Sequence, residues 1–195
     1  TLAQLSESKN FFSCGSSSSD LSVVSRMFPI IFKYHDSVND MQEAIKLHTI
    51  VTHMNKELIL TANFFSELTI ALLHGASLQQ SIEENSKHFG ENIQKWTQEA
   101  KALLEVDTKE AIKELGQSCS VDGAYASTIY ILLKYENDFA RALKENLLAG
   151  GESSARAMII GAILGLLHHK SVLQSNIKNE MNQRKKIESL VNKLS

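Results

Sequence analysis

The stretch "AGGESSAR" at 149–156 contains residue types that could hold an anion. Gly150 and Gly151 can adopt a positive φ and allow another group to approach the backbone closely. The residues after them would form the first turn of a helix, where free N–H groups and the helix dipole favour a phosphate or another anion. Glu152, Ser153 and Ser154 add a carboxylate and two hydroxyls, although roles at a helix start explain these three residues without a ligand. The pattern therefore predicts either a ligand-binding loop or an ordinary junction between two helices.

Two other side chains could contact a ligand. His53 stands at the end of a predicted helix, where it could line a binding cleft or simply bond to a backbone carbonyl. Arg26 could bind a phosphate bidentately, and a structural salt bridge is the alternative. The serine run at 16–19 has no histidine and aspartate that the sequence can tie to it, so the sequence predicts no catalytic residue.

Composition and charge limit the classes of function. The chain has 195 residues, of which 43% are hydrophobic, and this is enough for one domain with a substantial core. Its formal net charge is −2, from 20 basic and 22 acidic residues. The overall charge therefore favours neither nucleic acid nor an anionic membrane, although a local basic patch is compatible with it. No apolar run reaches the roughly 18 residues that a transmembrane helix needs, so we expect no nucleic-acid partner and no membrane partner.

The cysteines and the start of the chain bear on its cellular location. Cys14 and Cys119 are too few for a disulfide framework and lack the spacing of metal ligands. No secretory signal opens the chain, so we expect reduced thiols in a cytoplasmic protein. The first residue is Thr1 rather than methionine, and we expect a fragment or a processed form.

Helical periodicity runs through most of the chain and predicts an all-α fold. Ser37 and Asp40 resemble a capping box for a helix over 38–54, and Asn55 opens the next helix, which Gly75 ends. Further helices are predicted from Ser77 or Gln79 to Phe89, from Glu91 to Leu104, from Asp107 to Leu115, from Tyr125 to Tyr135, from Asp138 to Leu148, and from the double glycine to about Leu167.

Two terminal segments differ from the rest. The stretch "SCGSSSSDLS" at 13–22 has the composition of a flexible linker. The segment 171–195 is polar, and it is predicted to be a C-terminal amphipathic helix, docked on the body or loosely attached. Its apolar residues are Ile177, Met181, Ile187, Leu190, Val191 and Leu194.

Three segments, in order, resemble the ADP-ribosylglycohydrolase (DraG-like) family. The stretch "DFARALKENLLAGGESSARAMIIGAILGLL" at 138–167 is similar to the family's C-terminal signature, in which a "GGDTDT" loop precedes a helix of the type "AAIxGAILGA". The "VTHMN" stretch at 51–55 and the "RMFP" stretch at 26–29, with Arg26 and Pro29 in register, resemble two earlier segments of the family. The resemblance implies one compact multi-helix domain over 1–195 that lacks its N-terminal part.

Differences from the family pattern decide the predicted activity. In active members, the two aspartates and the second threonine of the loop coordinate a pair of magnesium ions. The matching positions here are Glu152, Ser154 and Ala155, which retain at most a degraded match to the metal site. The family's other ligands lie in an N-terminal "TDD"-like segment, and no such segment occurs before Ser13. The sequence therefore identifies no definite cofactor, and we expect the protein to lack hydrolase activity. The resemblance implies an ADP-ribose cleft whose candidate residues are His53, Gly150, Gly151, Ser153 and Arg156.

The "AGG…R" loop, ending in Arg156, most resembles the branch of J-crystallins and selenoprotein J. That branch implies a catalytically inactive protein with a crystallin-type structural role or residual binding of ADP-ribose. The alternative is a Mg²⁺-dependent hydrolase that removes ADP-ribose from proteins or small molecules, and a third is a plain helical interaction module. If the domain lacks its N-terminal part, core-facing helices would expose apolar surface, and we expect self-association.

Overall fold

The computed structural model describes residues 6–7, 14–174 and 181–194. Between residues 14 and 194, the described residues form twelve helices and two isolated β-bridges, so the predicted all-α fold is confirmed. The helices are α1 (Ser22–Ser25), α2 (Phe28–Tyr34), α3 (Val38–Thr52), α4 (Lys56–Leu73), α5 (Leu78–Ser86), α6 (Glu91–Ala102), α7 (Thr108–Leu115), α8 (Val121–Lys134), α9 (Phe139–Leu148), α10 (Ser153–Leu167), α11 (His169–Gln174) and α12 (Arg184–Leu194).

Helix α8 lies at the centre of the core. Small and apolar residues cover all of its faces, and every residue from Val121 to Leu132 except Asp122 is buried. Helices α4, α6, α7, α9 and α10 pack around it. The buried hydroxyl of Tyr125 is satisfied by Thr97, at 2.9 Å between the two oxygens. A helix that is apolar all round is stable only when neighbours cover it, so α8 organises the whole chain.

Helix α10 is the second largely apolar helix, and it positions the double-glycine loop. Its residues Ile159, Ile160, Ile163 and Leu164 are buried. The helix packs on α1, α4, α8 and α9. Its first turn therefore lies where α9 ends and close to the segment that leads into α8.

Several predicted helix ends are confirmed by their caps. The side chain of Asn55 accepts hydrogen bonds from the backbone N–H groups of Glu57 and Leu58. Asp107 and Asp138 cap α7 and α9 in the same way. The helix after the double glycine ends at Leu167, as the sequence predicts.

Other boundaries were predicted wrongly. Ser37 donates its hydroxyl to the Asp40 carboxylate at 2.7 Å and caps no backbone N–H, so the capping box is not formed. Helix α8 begins at Val121 rather than Tyr125, because tertiary packing covers the glycine-containing first turn. Helices α3, α5 and α6 end two or three residues earlier than predicted, at Thr52, Ser86 and Ala102.

The two terminal segments also differ in part from expectation. From Cys14 onward the serine-rich segment is bonded to two other parts of the chain, and it leads into the short helices α1 and α2. In the C-terminal segment, the described residues form α11 and α12; Ile177 and the rest of 175–180 lie outside the described residues. None of the helices in the described part of the chain is long and apolar enough to cross a membrane.

Candidate functional site

The double-glycine loop turns sharply between α9 and α10. Gly150 and Gly151 have φ values of 71° and 66°, which L-residues with a Cβ rarely adopt. A Cβ on Gly151 would lie only 2.3 Å from the backbone oxygen of Gln117. The same oxygen accepts a hydrogen bond of 2.9 Å from the N–H of Glu152. Glycine is therefore required at 151 because the loop lies directly against the segment before α8.

Arg156 and Asn146 form a buried polar pair that contacts the backbone of the loop. Arg156 is fully buried; its Nε donates to Oδ1 of Asn146 at 2.8 Å and its Nη2 donates to the carbonyl of Gly150 at 2.6 Å. The amide of Asn146 donates to the carbonyl of Ser153 at 2.9 Å. Burial lowers the pKa of Arg156, and Glu152 partly opposes this shift, but a guanidinium keeps its charge in a protein. Arg156, a predicted ligand-binding residue, thus lies inside the protein and holds the loop.

The first turn of α10 contains the other loop side chains. Glu152 is the N-cap residue, but no side chain caps the backbone N–H groups of this turn. The hydroxyl of Ser154 donates to the Glu152 carboxylate, and the N–H of Ser153 bonds to the Gly151 carbonyl at 2.8 Å. Ser154 is exposed, whereas Glu152 and Ser153 are half-buried. The carboxylate therefore already has a partner within the loop.

The serine-rich segment links the end of α3 to the segment before α8. Ser16 pairs with His53 in a parallel bridge, and its backbone bonds to Thr52 and Met54 at 2.9 and 2.8 Å. Further along, Asp20 pairs with Ser120 in an antiparallel bridge. The segment is thus a structural connection, and the prediction of a flexible linker is wrong for its described residues.

His53 lies beside this segment, half-buried. Its Nδ1 is 2.9 Å from the hydroxyl of Thr52, so its partner is a side chain rather than the backbone carbonyl considered from the sequence. Burial lowers the pKa of His53; Asp20 raises it, and Arg26 and His48 lower it further. The imidazole is therefore neutral near pH 7 and lies within electrostatic reach of one carboxylate and one guanidinium.

Asp20 is a residue of this region that was not predicted from the sequence. Burial alone would raise the pKa of Asp20, but hydrogen bonds involving Ser22 and Cys119, with the nearby His53, together hold it below its ordinary value. Its carboxylate accepts the N–H of Ser22 at 2.8 Å, which is a common arrangement for an aspartate just before a helix. The position of an aspartate just before a helix was the feature of the sequence from which this role of Asp20 could have been predicted.

The exposed thiol of Cys119 interacts electrostatically with both Asp20 and the glycine loop. Burial raises the pKa of Cys119, and the carboxylates of Asp20 and Glu152 raise it further. Cys119 therefore interacts with Asp20 on one side and with the loop on the other. The serine-rich segment pairs with His53 at Ser16 and with Ser120 at Asp20, and the segment before Ser120 approaches Gly151 through Gln117. These contacts connect His53 to the loop.

Among the described residues, the loop supplies one carboxylate, which is fewer hard oxygen ligands than a pair of magnesium ions needs. The described residues contain no group of three His, Cys, Asp or Glu side chains that could hold a metal ion. The one loop carboxylate, Glu152, is bonded to Ser154, and the guanidinium of Arg156 interacts with it electrostatically. Mg²⁺ prefers several hard oxygen ligands in octahedral geometry, and a fixed positive charge opposes a cation.

Comparison with known proteins places this fold and loop in context. The sequence model of the ADP-ribosylglycohydrolase family matches residues 1–195. The chain belongs to the ADP-ribosylglycohydrolase family. No curated protein gives a significant match to the chain.

Proposed function

We propose that this ADP-ribosylglycohydrolase-family protein is inactive as a magnesium-dependent hydrolase and retains a metal-independent site for ADP-ribose. The observation that supports inactivity is the internal pairing of the loop's charged groups. Arg156 is bonded to Asn146 and Gly150, and Glu152 is bonded to Ser154. Nη1 of Arg156 is buried without a hydrogen-bond partner among the described residues, but a cationic group cannot bind a metal ion. The loop therefore offers few ligands for two cations.

Residual binding of ADP-ribose is supported by the donors that remain at the start of α10. No side chain caps this helix of 15 residues, and helix N-termini favour phosphate groups. Arg26 is exposed on the same side as His53, where its guanidinium could meet a second phosphate. In this proposal the ligand contacts Gly150, Gly151, Ser153 and His53. Arg156 does not contact the ligand, and its buried hydrogen bonds hold the loop in place.

A crystallin-type structural role is the second part of the proposal. The sequence resemblance to the branch of J-crystallins and selenoprotein J suggests it. A loop whose charged groups are hydrogen-bonded within the protein does not need a ligand to hold its conformation, and a protein with a purely structural role needs this property. Cytoplasmic location belongs to the same proposal, because two cysteines in 195 residues are too few for the disulfide framework of a secreted protein.

Calorimetric titration of the protein with ADP-ribose, with and without Mg²⁺, tests these proposals. Binding that does not depend on Mg²⁺ would support a metal-independent receptor. No heat at millimolar ligand, from a protein shown to be folded, would leave the structural role alone. Mg²⁺-dependent binding would overturn the proposed inactivity and favour the hydrolase, provided that Glu152→Ala weakens it and Glu110→Ala, an exposed control on α7, does not.

A further inference from the structure

Helices α2 and α12 form an open apolar groove, and no residue of the glycine loop lines it. Several apolar side chains that line the groove are exposed: Phe32 is 46% exposed and Leu190 is 51% exposed. The lining residues are Phe28, Pro29, Phe32, Ile187, Leu190, Val191 and Lys193. Isolated exposed apolar residues need no explanation, but a continuous set on two adjacent helices marks an interaction surface.

Positive charge borders this groove. Helix α12 contains four basic residues and one acidic residue, a net charge of +3, in a chain whose formal charge is −2. The acidic residue, Glu188, is paired with Arg184 at 3.0 Å. At 100° per residue, Ile187, Leu190 and Val191 share one face of α12. Lys186 and Lys193 fall along one edge of that face, and Arg184 falls at the other. Near α2, Asp36 is paired with His35 at 3.3 Å, and Asp40 on α3 accepts a hydrogen bond from Ser37 at 2.7 Å.

We propose that the groove between α2 and α12 binds the surface of an anionic phospholipid bilayer. An apolar helix face flanked by lysine and arginine is the pattern of a helix that lies in the plane of a membrane interface. The apolar side chains enter the boundary between headgroups and acyl chains, and the basic side chains contact the lipid phosphates. In this proposal the described helices lie on the membrane without crossing it, which replaces the sequence-based expectation of no membrane partner. This inference is independent of the proposed ADP-ribose site.

Two other occupants fit the groove less well. A second copy of α12 would bring two helices of charge +3 together, and like charges repel across an interface. A helical peptide with acidic residues would have the right charge, but protein partners are also oriented by polar groups in the interface core. Among the described residues that line this groove, Lys193 is the one with a charged or hydrogen-bonding side chain. A fluid lipid surface requires no fixed register.

Co-sedimentation with vesicles tests the proposal. We expect the protein to pellet with vesicles of phosphatidylcholine containing about 30% phosphatidylserine and not with vesicles of phosphatidylcholine alone. The double variant Lys186→Gln/Lys193→Gln should weaken binding roughly thirtyfold, because each lysine near an anionic surface contributes about 1 kcal/mol. Leu190→Gln should weaken it roughly tenfold through lost apolar burial.

Matched controls separate this surface from general charge and hydrophobicity. Lys109→Gln/Lys113→Gln on α7 and Leu73→Gln on α4 change exposed residues of the same types elsewhere and should leave vesicle binding unchanged. Circular dichroism confirms that each variant is folded.

Equal pelleting with neutral and anionic vesicles would overturn the proposal. So would displacement by millimolar inorganic phosphate, which would show a simple phosphate site. Binding of an acidic amphipathic peptide without any vesicle binding would assign the groove to a protein partner instead.

Discussion

At the scale of single residues, Gly151 is the position where the loop tolerates least change. Its φ of 66° and the distance of 2.3 Å that would separate a Cβ at this position from the Gln117 oxygen act together. Gly151→Ala is therefore expected to lower the free energy of unfolding by at least about 2 kcal/mol, since the left-handed conformation alone costs roughly 1–2 kcal/mol. Urea denaturation measures this loss.

Two other glycines separate the contributions of backbone conformation and steric contact. Gly75 has a φ of 85° but open space around it, so Gly75→Ala should cost only about 1 kcal/mol. Gly161 lies inside α10 with no atom within 4 Å of a Cβ, so Gly161→Ala should be neutral or stabilising by up to about 1 kcal/mol. Equal losses at all three positions would show that contact with Gln117 does not determine the loop.

His53 gives the site a dependence on pH. Because burial lowers the pKa of His53, the unfolded chain binds this proton more readily than the folded protein does. The contribution of His53 to stability is therefore complete above about pH 6.5 and falls as the pH drops from there through the folded pKa. Asp20 partly opposes the shift, so Asp20→Asn should lower the pKa of His53 further.

NMR titration of the His53 ring protons measures this pKa directly. The midpoint should lie below the ordinary value of about 6.5, and it should move down in Asp20→Asn. Urea denaturation of His53→Gln should show a flatter dependence of stability on pH between about 7 and 5.5 than the parent protein shows. A midpoint that rises in Asp20→Asn would mean that this carboxylate does not face the imidazole.

At the scale of helices, caps distinguish Asn55 from Ser37. Asn55 accepts two backbone N–H groups at 2.9 and 3.3 Å, so Asn55→Ala should destabilise the protein by about 1 kcal/mol. Ser37 contacts only an exposed carboxylate, and Ser37→Ala should cost less than about 0.5 kcal/mol. Thermal denaturation of both variants compares them, and an equal loss would mean that Ser37 does cap α3.

The same contrast shows which features of the fold could be predicted from the sequence. Asn55, Asp107 and Asp138 act on backbone groups two or three residues away, so their roles are visible in the local pattern. The start of α8 at Val121 depends on neighbours that cover its first turn, and local propensity does not contain that information. The existence of the locally capped helices was therefore predictable, whereas α1, α2 and the boundaries that depend on tertiary contacts were not.

The candidate site was predictable only in its local part. The glycines at 150 and 151 signal a positive φ by themselves. By contrast, the Gln117 side chain bonds to Ala149, 32 residues away, and Ser19 meets Ser120 across 101 residues. These non-local contacts form the support of the loop, so Gln117 and Asn146 could not be identified in advance. The burial of Arg156 likewise depends on where α9 lies against α10.

At the scale of the whole molecule, the helices that hold the loop also expose apolar side chains. Leu147 is 69% exposed and Leu148 is 50% exposed at the end of α9, and Met158 on α10 is 50% exposed. Because these side chains lie on two helices in direct contact, they can be covered together by another copy of the chain. We therefore predict self-association, as the sequence suggested, through the α9–α10 face.

Sedimentation velocity over a range of concentrations tests this prediction. The average mass should rise with concentration, and Leu147→Gln/Met158→Gln should return the protein to a monomer while Leu73→Gln, a residue 48% exposed on α4, should not. A constant monomer mass would contradict the prediction. Association through this face would place a second copy beside the glycine loop, where it would compete with ADP-ribose. Weaker ligand binding at high protein concentration would then connect a structural assembly to the ligand site proposed for this ADP-ribosylglycohydrolase-family protein.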